Sequence, residues 1–280
     1  MTPPDRVERI EVAIDVELHA VRWDGGDRAP FVLVHGLASN ARLWDGVAAV
    51  LADAGHPVLA VDQRGHGRSS KPDHGYDMAT VTDDLRAVVE ASGFDRPVLA
   101  GQSWGGNVVI EFAARFPGSA RAVGAVDGGA IELARDFPDW ERCAEVLRPP
   151  HLVGTPLVQM ESMLRRAHPD WPESGIAGTL ACFEVRDDGT IAPWLTLDRH
   201  LRVLRGLWEH RPSTRLPQVR EPALFVVAER DEDGEGSRHH QVTRATGAMR
   251  DARVHALVGD HDLHAQHPVQ VAALLRTLAD

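Results

Sequence analysis

The chain has 280 residues, enough for one large domain or for a domain carrying an insertion. A hydrophobic content of 43% and a charged content of 25% match a globular protein with a sizeable core, which excludes fibrous and disordered classes. The formal net charge of −11 repels phosphate backbones and anionic lipid, so no nucleic acid and no membrane partner is expected, and anionic substrates are disfavoured at long range.

Cys143 and Cys182 are too few for a disulfide framework and lack the paired C-x-x-C spacing of a zinc or redox site. The N-terminal residues hold no apolar run of signal-peptide length, and no stretch approaches the roughly 20 apolar residues that span a bilayer. The expectation is a cytoplasmic protein acting on a small molecule, with its oligomeric state open.

In chain order, residues 8–14 and 16–23 read as a strand hairpin, followed by the turn signal Asp24-Gly25-Gly26-Asp27. Residues 31–34, 58–61, 98–100 and 123–126 are short, apolar and rich in β-branched side chains, as strands buried on both faces of a parallel sheet should be. Between them, residues 41–54, 80–92 and 105–116 have helical apolar spacing. This alternation implies an α/β fold with a parallel sheet and helices on both faces.

The alternation stops after Gly129 and resumes at Pro222. The intervening residues 131–220 carry Trp140, Trp171, Trp194 and Trp208, four of the seven tryptophans, and nine prolines. They read as an inserted helical lid between two core segments, residues 1–130 and 221–280, and the four tryptophans are candidate walls of an apolar substrate pocket. The second core segment continues with a helix near 237–249, a strand near 253–258 and a final helix near 268–278.

Gly101-Gln102-Ser103-Trp104-Gly105 stands between a predicted strand and a predicted helix. A nucleophile on a sharp strand-to-helix turn adopts strained backbone angles, and neighbours two residues away must be Gly to avoid colliding with the chain. The turn would expose the Ser103 hydroxyl at the carboxyl edge of the sheet, where open α/β sheets bind ligands.

Further motifs stand in order: His35-Gly36-Leu37 after the third strand, Trp44 on the next helix, and Asp62-Gln-Arg-Gly-His-Gly-Arg-Ser69 after the fourth. With Ser103 after the fifth, the chain resembles the α/β-hydrolase-fold serine hydrolases over nearly its whole length apart from the lid. Many relatives carry His and Met where this chain has Gln102 and Trp104. The resemblance implies a mostly parallel eight-stranded sheet and a Ser, acid, His triad in that chain order.

On that order His261, in Gly259-Asp260-His261 before the last helix, is the general base. Asp231, after the penultimate strand, is the expected triad acid, with Asp127 after the sixth strand as its rival. The backbone amides of Leu37 and Trp104 are the expected oxyanion hole. His35 is expected to brace that loop; Arg64 and His66 are assigned no chemistry. His264 and His267, spaced three residues apart with His261, read as a polar loop, and no metal or cofactor is expected.

The resemblance implies hydrolysis of a carboxylic ester or lactone of a partly apolar small molecule through an acyl-serine intermediate. A C–C bond hydrolase remains an alternative. So does a proline-releasing aminopeptidase, whose substrate ammonium would need lid carboxylates such as Glu161, Glu173, Glu184 or Glu209. A non-catalytic ligand-binding protein of the same fold is the alternative from another class.

Overall fold

Every residue of Phe31–Val34 and Val58–Val61 is buried, because these strands lie in the middle of a sheet that has helices on both sides. The computed structural model describes residues 2–229 and 238–279. Its strands are β1 (Arg6–Ala13), β2 (Val16–Trp23), β3 (Phe31–Val34), β4 (Val58–Val61), β5 (Val98–Gln102), β6 (Ala122–Val126), β7 (Thr155–Pro156), β8 (Phe183–Val185), β9 (Thr190–Pro193), β10 (Ala223–Glu229) and β11 (Ala252–Val258). Eight of them form one sheet in the order β1-β2-β4-β3-β5-β6-β10-β11, antiparallel at β1-β2-β4 and parallel from β4 onward.

Strand alternation divides the core in two. Val32, Val34, Leu59, Val61 and Leu99 face α2 (Met78–Ser92) and α3 (Trp104–Arg115). Phe31, Leu33, Val58, Ala60 and Val98 face α1 (Asp45–Asp53) and, from the other end of the chain, α12 (Pro268–Arg276). The β1–β2 hairpin closes through Ile14 and Asp15, with Asp15 at φ 61°, a left-handed conformation that Asp tolerates in tight turns.

The predicted helix at 41–54 is two elements. Asn40 Oδ1 accepts from the Arg42 amide at 2.8 Å and caps a 3-10 turn over Ala41–Trp44 before α1 begins. Residues 131–220 carry α4 (Leu133–Asp136), α5 (Trp140–Val146), α6 (Leu157–Ala167), α7 (Glu173–Leu180), α8 (Leu197–Glu209) and α9 (Pro212–Arg215). They also carry a three-stranded antiparallel sheet in the order β7-β9-β8, which the helical reading did not include. The missed signal is Asp188-Gly189: Gly189 has φ 77°, and Asp188 Oδ1 accepts from the Thr190 amide and hydroxyl at 2.9 and 2.7 Å, closing the β8–β9 turn. The remaining helices are α10 (Arg238–Thr246) and α11 (Leu263–Gln266). No helix among the described residues is long and apolar enough to cross a membrane.

Strand order fixes where a site can lie. The chain passes from β3 to β4 on one side and returns to β5 on the other, so the loops leaving β3 and β5 sit side by side at their carboxyl ends.

Candidate active site

Ser103 occupies the turn between β5 and α3 with φ 51° and ψ −120°, a conformation that costs a non-glycine residue about 1–3 kcal/mol. Close approach explains the glycines around it. A Cβ at Gly101 would fall 2.1 Å from the Gly105 carbonyl oxygen, and one at Gly105 would fall 2.4 Å from the carbonyl oxygens of Val34 and His35. The Ser103 amide donates to Val126 O at 2.9 Å, which draws the end of β6 against the turn.

The next residue after Val126 is Asp127, buried and also left-handed at φ 44°. Its Oδ2 lies 2.5 Å from His261 Nδ1, and its Oδ1 accepts from the Ala228 amide at 3.1 Å. Arg238 Nη1 donates to the same Oδ2 at 2.7 Å. Burial pushes the His261 imidazole down, but the hydrogen bond and charge of Asp127 outweigh it, so the ring titrates above its ordinary value. The Asp127–His261 pair and the Ser103 turn therefore lie at one sheet edge, joined through the Ser103 amide and Val126 O. Asp231 lies outside the described residues, and the carboxylate on His261 Nδ1 is that of Asp127.

The loop after β3 is held by two buried imidazoles. His35 Nε2 accepts from the Gln63 amide at 3.0 Å, so its Nδ1 carries the proton and donates to Gly36 O at 2.7 Å. His66 repeats the pattern, accepting from the Ala38 amide at 3.2 Å and donating to Arg64 O at 2.9 Å. Burial lowers both rings, well below the usual histidine range for His66, so both stay neutral. These contacts fix the residues on either side of Leu37. His66 also stacks on Trp104, ring centres 5.5 Å apart. Trp104 opens α3, where helical geometry leaves its amide without an intrahelical acceptor.

Asp62 anchors this loop from below. Its carboxylate accepts from the Ala41 amide at 2.7 Å and from the Arg68 amide and His19 Nδ1, each at 2.9 Å. Burial opposes the charge, but these bonds, with His19 foremost, hold the carboxyl at about 2. Against an ordinary 3.8 that is roughly 2 kcal/mol of stability, present above about pH 4 and lost as pH falls toward 2. Asp62→Ala should cost about 3 kcal/mol or more at pH 7 by stranding three donors, and the deficit should shrink at pH 3. Urea titrations at the two pH values check this, and equal stability at pH 7 would refute it.

Gln102, noted in the sequence as a departure in the elbow, bridges the site: its Nε2 donates to His261 O at 3.2 Å, and its Oε1 lies against Gly36. The His261 loop is braced further by Gln266, whose Oε1 accepts from the Asp260 amide at 2.6 Å. His264 is not beside the solvent as a polar loop residue would be. It is fully buried against Trp44, ring centres 4.4 Å apart, and burial pushes it down to about 3. Both cysteine thiols are raised by burial, Cys182 to about 12, so neither is an activated nucleophile.

A family model described as the alpha/beta hydrolase fold matches residues 29–151. The solved E-2-(acetamidomethylene)succinate hydrolase superposes with a TM-score of 0.80 at 20% identity, covering 98% of each chain. The chain has the α/β-hydrolase fold. Among curated relatives, a non-heme haloperoxidase of Rhodococcus erythropolis is 38% identical over 108 residues, 39% of each chain. An uncharacterised protein of Mycobacterium tuberculosis is 33% identical over 106 residues, 38% of this chain and 31% of that one. The matches thus span well under half of these relatives' length.

Within this α/β-hydrolase-fold chain the four tryptophans of residues 131–220 part company. Trp194 lines a cavity of about 700 Å³ that reaches the β3 loop at Ala38 and Ser39. Trp171 is buried in a separate apolar cluster and stacks on His168 at 4.1 Å. Trp140 and Trp208 pack against each other at 6.0 Å, and Trp208 Nε1 donates to Phe137 O at 2.7 Å. The expectation of one pocket walled by all four is revised: α5 and α8 turn two of them toward each other, and only Trp194 among the four lines this cavity.

Proposed function

We propose that the protein is a serine hydrolase that cleaves a carboxylic ester or lactone of a partly apolar small molecule through an acyl-Ser103 intermediate. The observation carrying this reading is the strained Ser103 turn hydrogen-bonded to the strand end that presents Asp127 to His261. Asp127 holds the His261 proton on Nδ1, leaving Nε2 basic. His261 takes the Ser103 proton as Oγ adds to the substrate carbonyl carbon. The amides of Leu37 and Trp104 stabilise the oxyanion, and His261 returns the proton to the departing alcohol. Water, deprotonated by His261, then releases the acid and restores Ser103.

The aminopeptidase alternative loses support from the pairing of its candidate carboxylates. Glu161 and Glu173 are both spent on Arg165, at 2.9 and 2.8 Å, and Glu209 pairs with Arg205 at 2.6 Å. Of the four carboxylates that could hold a substrate ammonium, Glu184 alone lines the cavity beside the β3 loop.

A fluorophosphonate probe should label wild-type protein at Ser103, as read by mass spectrometry of the modified peptide, and a simple aryl ester should be turned over. Absence of both would overturn the reading.

A further inference from the structure

The cavity beside Ala38 and Ser39 is lined by apolar side chains that include Phe183, Trp194 and Leu195 and by the cationic side chains of Lys71, Arg148 and Arg186. Among the described residues, Glu184 is the single carboxylate on its lining. That is a local excess of positive charge in a chain of net charge −11. Neighbouring arginines of the insertion are neutralised: Arg142 pairs with Glu145, Arg165 with Glu161 and Glu173, Arg199 with Asp73, and Arg202 with Asp198. Among the described residues, none of the three cavity cations is in an ion pair.

Lys71 is the most enclosed of the three. Its ammonium donates to Gly67 O at 2.7 Å and Ser69 O at 2.9 Å and sits 5.1 Å from the centre of the Trp194 ring, which fixes it in place with a third N–H to spare. Two buried polar atoms on the same lining lack a hydrogen-bond partner among the described residues, Ser39 Oγ and His200 Nε2, and His200 is only 6% exposed. Buried polar atoms are rarely left unsatisfied, and the two together with Lys71 mark a wall built to meet polar ligand atoms.

We propose that this cavity is a subsite for a carboxylate carried by the substrate. Lys71 and Ser39 donate to the carboxylate, Arg148 and Arg186 at the exposed margin draw it in, and the Trp194 wall takes the apolar chain between the carboxylate and the scissile bond. His200, whose ring engages the Leu147 carbonyl, presents Nε2 as an acceptor for an N–H or O–H of the same molecule. The chain's overall acidity acts at long range and is screened by salt, whereas these cations act within hydrogen-bonding reach. The sequence expectation that anions are disfavoured is thereby reversed for this site.

The inference rests on Ser103 as the acyl acceptor, and the test separates the two. Compare kcat/KM for phenyl hydrogen glutarate with phenyl pentanoate, and for acetylated 4-(hydroxymethyl)benzoate with acetylated 4-methylbenzyl alcohol, at low ionic strength. The carboxylate member of at least one pair should be favoured about 10-fold or more. Arg186→Gln, an exposed change that the fold tolerates, and Lys71→Met should each cut that ratio several-fold, and added salt should weaken the Arg186 contribution. Ratios at or below one in both pairs would overturn the subsite while leaving the hydrolase reading intact.

If no ester is turned over, the failure is that of the hydrolase reading. Calorimetry with 5-phenylvalerate and 5-phenylpentanol then decides the subsite. Tighter binding of the carboxylate, weakened in Arg186→Gln, supports it; equal affinities or no binding overturn it.

Discussion

Ser103→Ala and His261→Ala should each lower aryl-ester turnover by about 10⁵-fold or more, with the double variant little worse than either single one. The non-additivity follows from the chemistry: without the hydroxyl there is no proton for the imidazole to take, and without the imidazole the hydroxyl is a weak nucleophile at its ordinary pKa. Neither change should unfold the protein. Ser103 sits at a strained φ that alanine bears no worse, and the His261 side chain is about half exposed at 47%. Because the strain is unchanged, Ser103→Ala should be about as stable as wild type in thermal melts. Residual turnover above about one hundredth of wild type in the purified Ser103→Ala protein would remove Ser103 from the reaction.

The parts of this molecule that could be read from sequence are those where neighbouring residues decide the outcome. Strands β3 to β6 were legible because burial on both faces demands unbroken apolar runs, and the Ser103 turn because its two glycines are required by backbone contacts within a few residues. The small β7-β9-β8 sheet was hidden by the shortness of its strands, although Asp188-Gly189 carried the turn signal. Contacts that cross the chain left no local trace. His66 gripping the Ala38 amide, Gln102 reaching His261 and the mutual packing of Trp140 with Trp208 join residues whose sequence neighbourhoods say nothing of each other.

The carboxylate that meets His261 is the sharpest instance. Asp127 and Asp231 each follow a strand of the same sheet, one after β6 and one beyond β10, so the local pattern favours neither. What puts Asp127 on His261 is where a loop 134 residues further along the chain comes to rest. Asp127→Asn is accordingly the decisive substitution. Asn tolerates the left-handed φ of 44° at this position as readily as Asp does, and it can still accept from the Ala228 amide, so folding should be retained. An amide opposite Nδ1 favours the wrong tautomer of His261 and no longer stabilises the imidazolium, a loss that reaches about 10⁴-fold in a serine protease.

The pH profile gives an independent reading of the same contact. His261 must be neutral to act as base, and Asp127 raises its pKa above 6.5, so wild-type kcat/KM should climb with pH through a midpoint above that value. Removing the Asp127 charge also removes the ion pair with Arg238, which would then stand near the imidazole as an unopposed cation. Both effects disfavour the imidazolium, so the residual activity of Asp127→Asn should rise with a midpoint at lower pH than wild type. Asp231→Asn should leave both the rate and the midpoint near wild type. The opposite pattern, a tolerated Asp127→Asn and a crippled Asp231→Asn, would transfer the role to Asp231 and reduce the Asp127–His261 contact to a structural one.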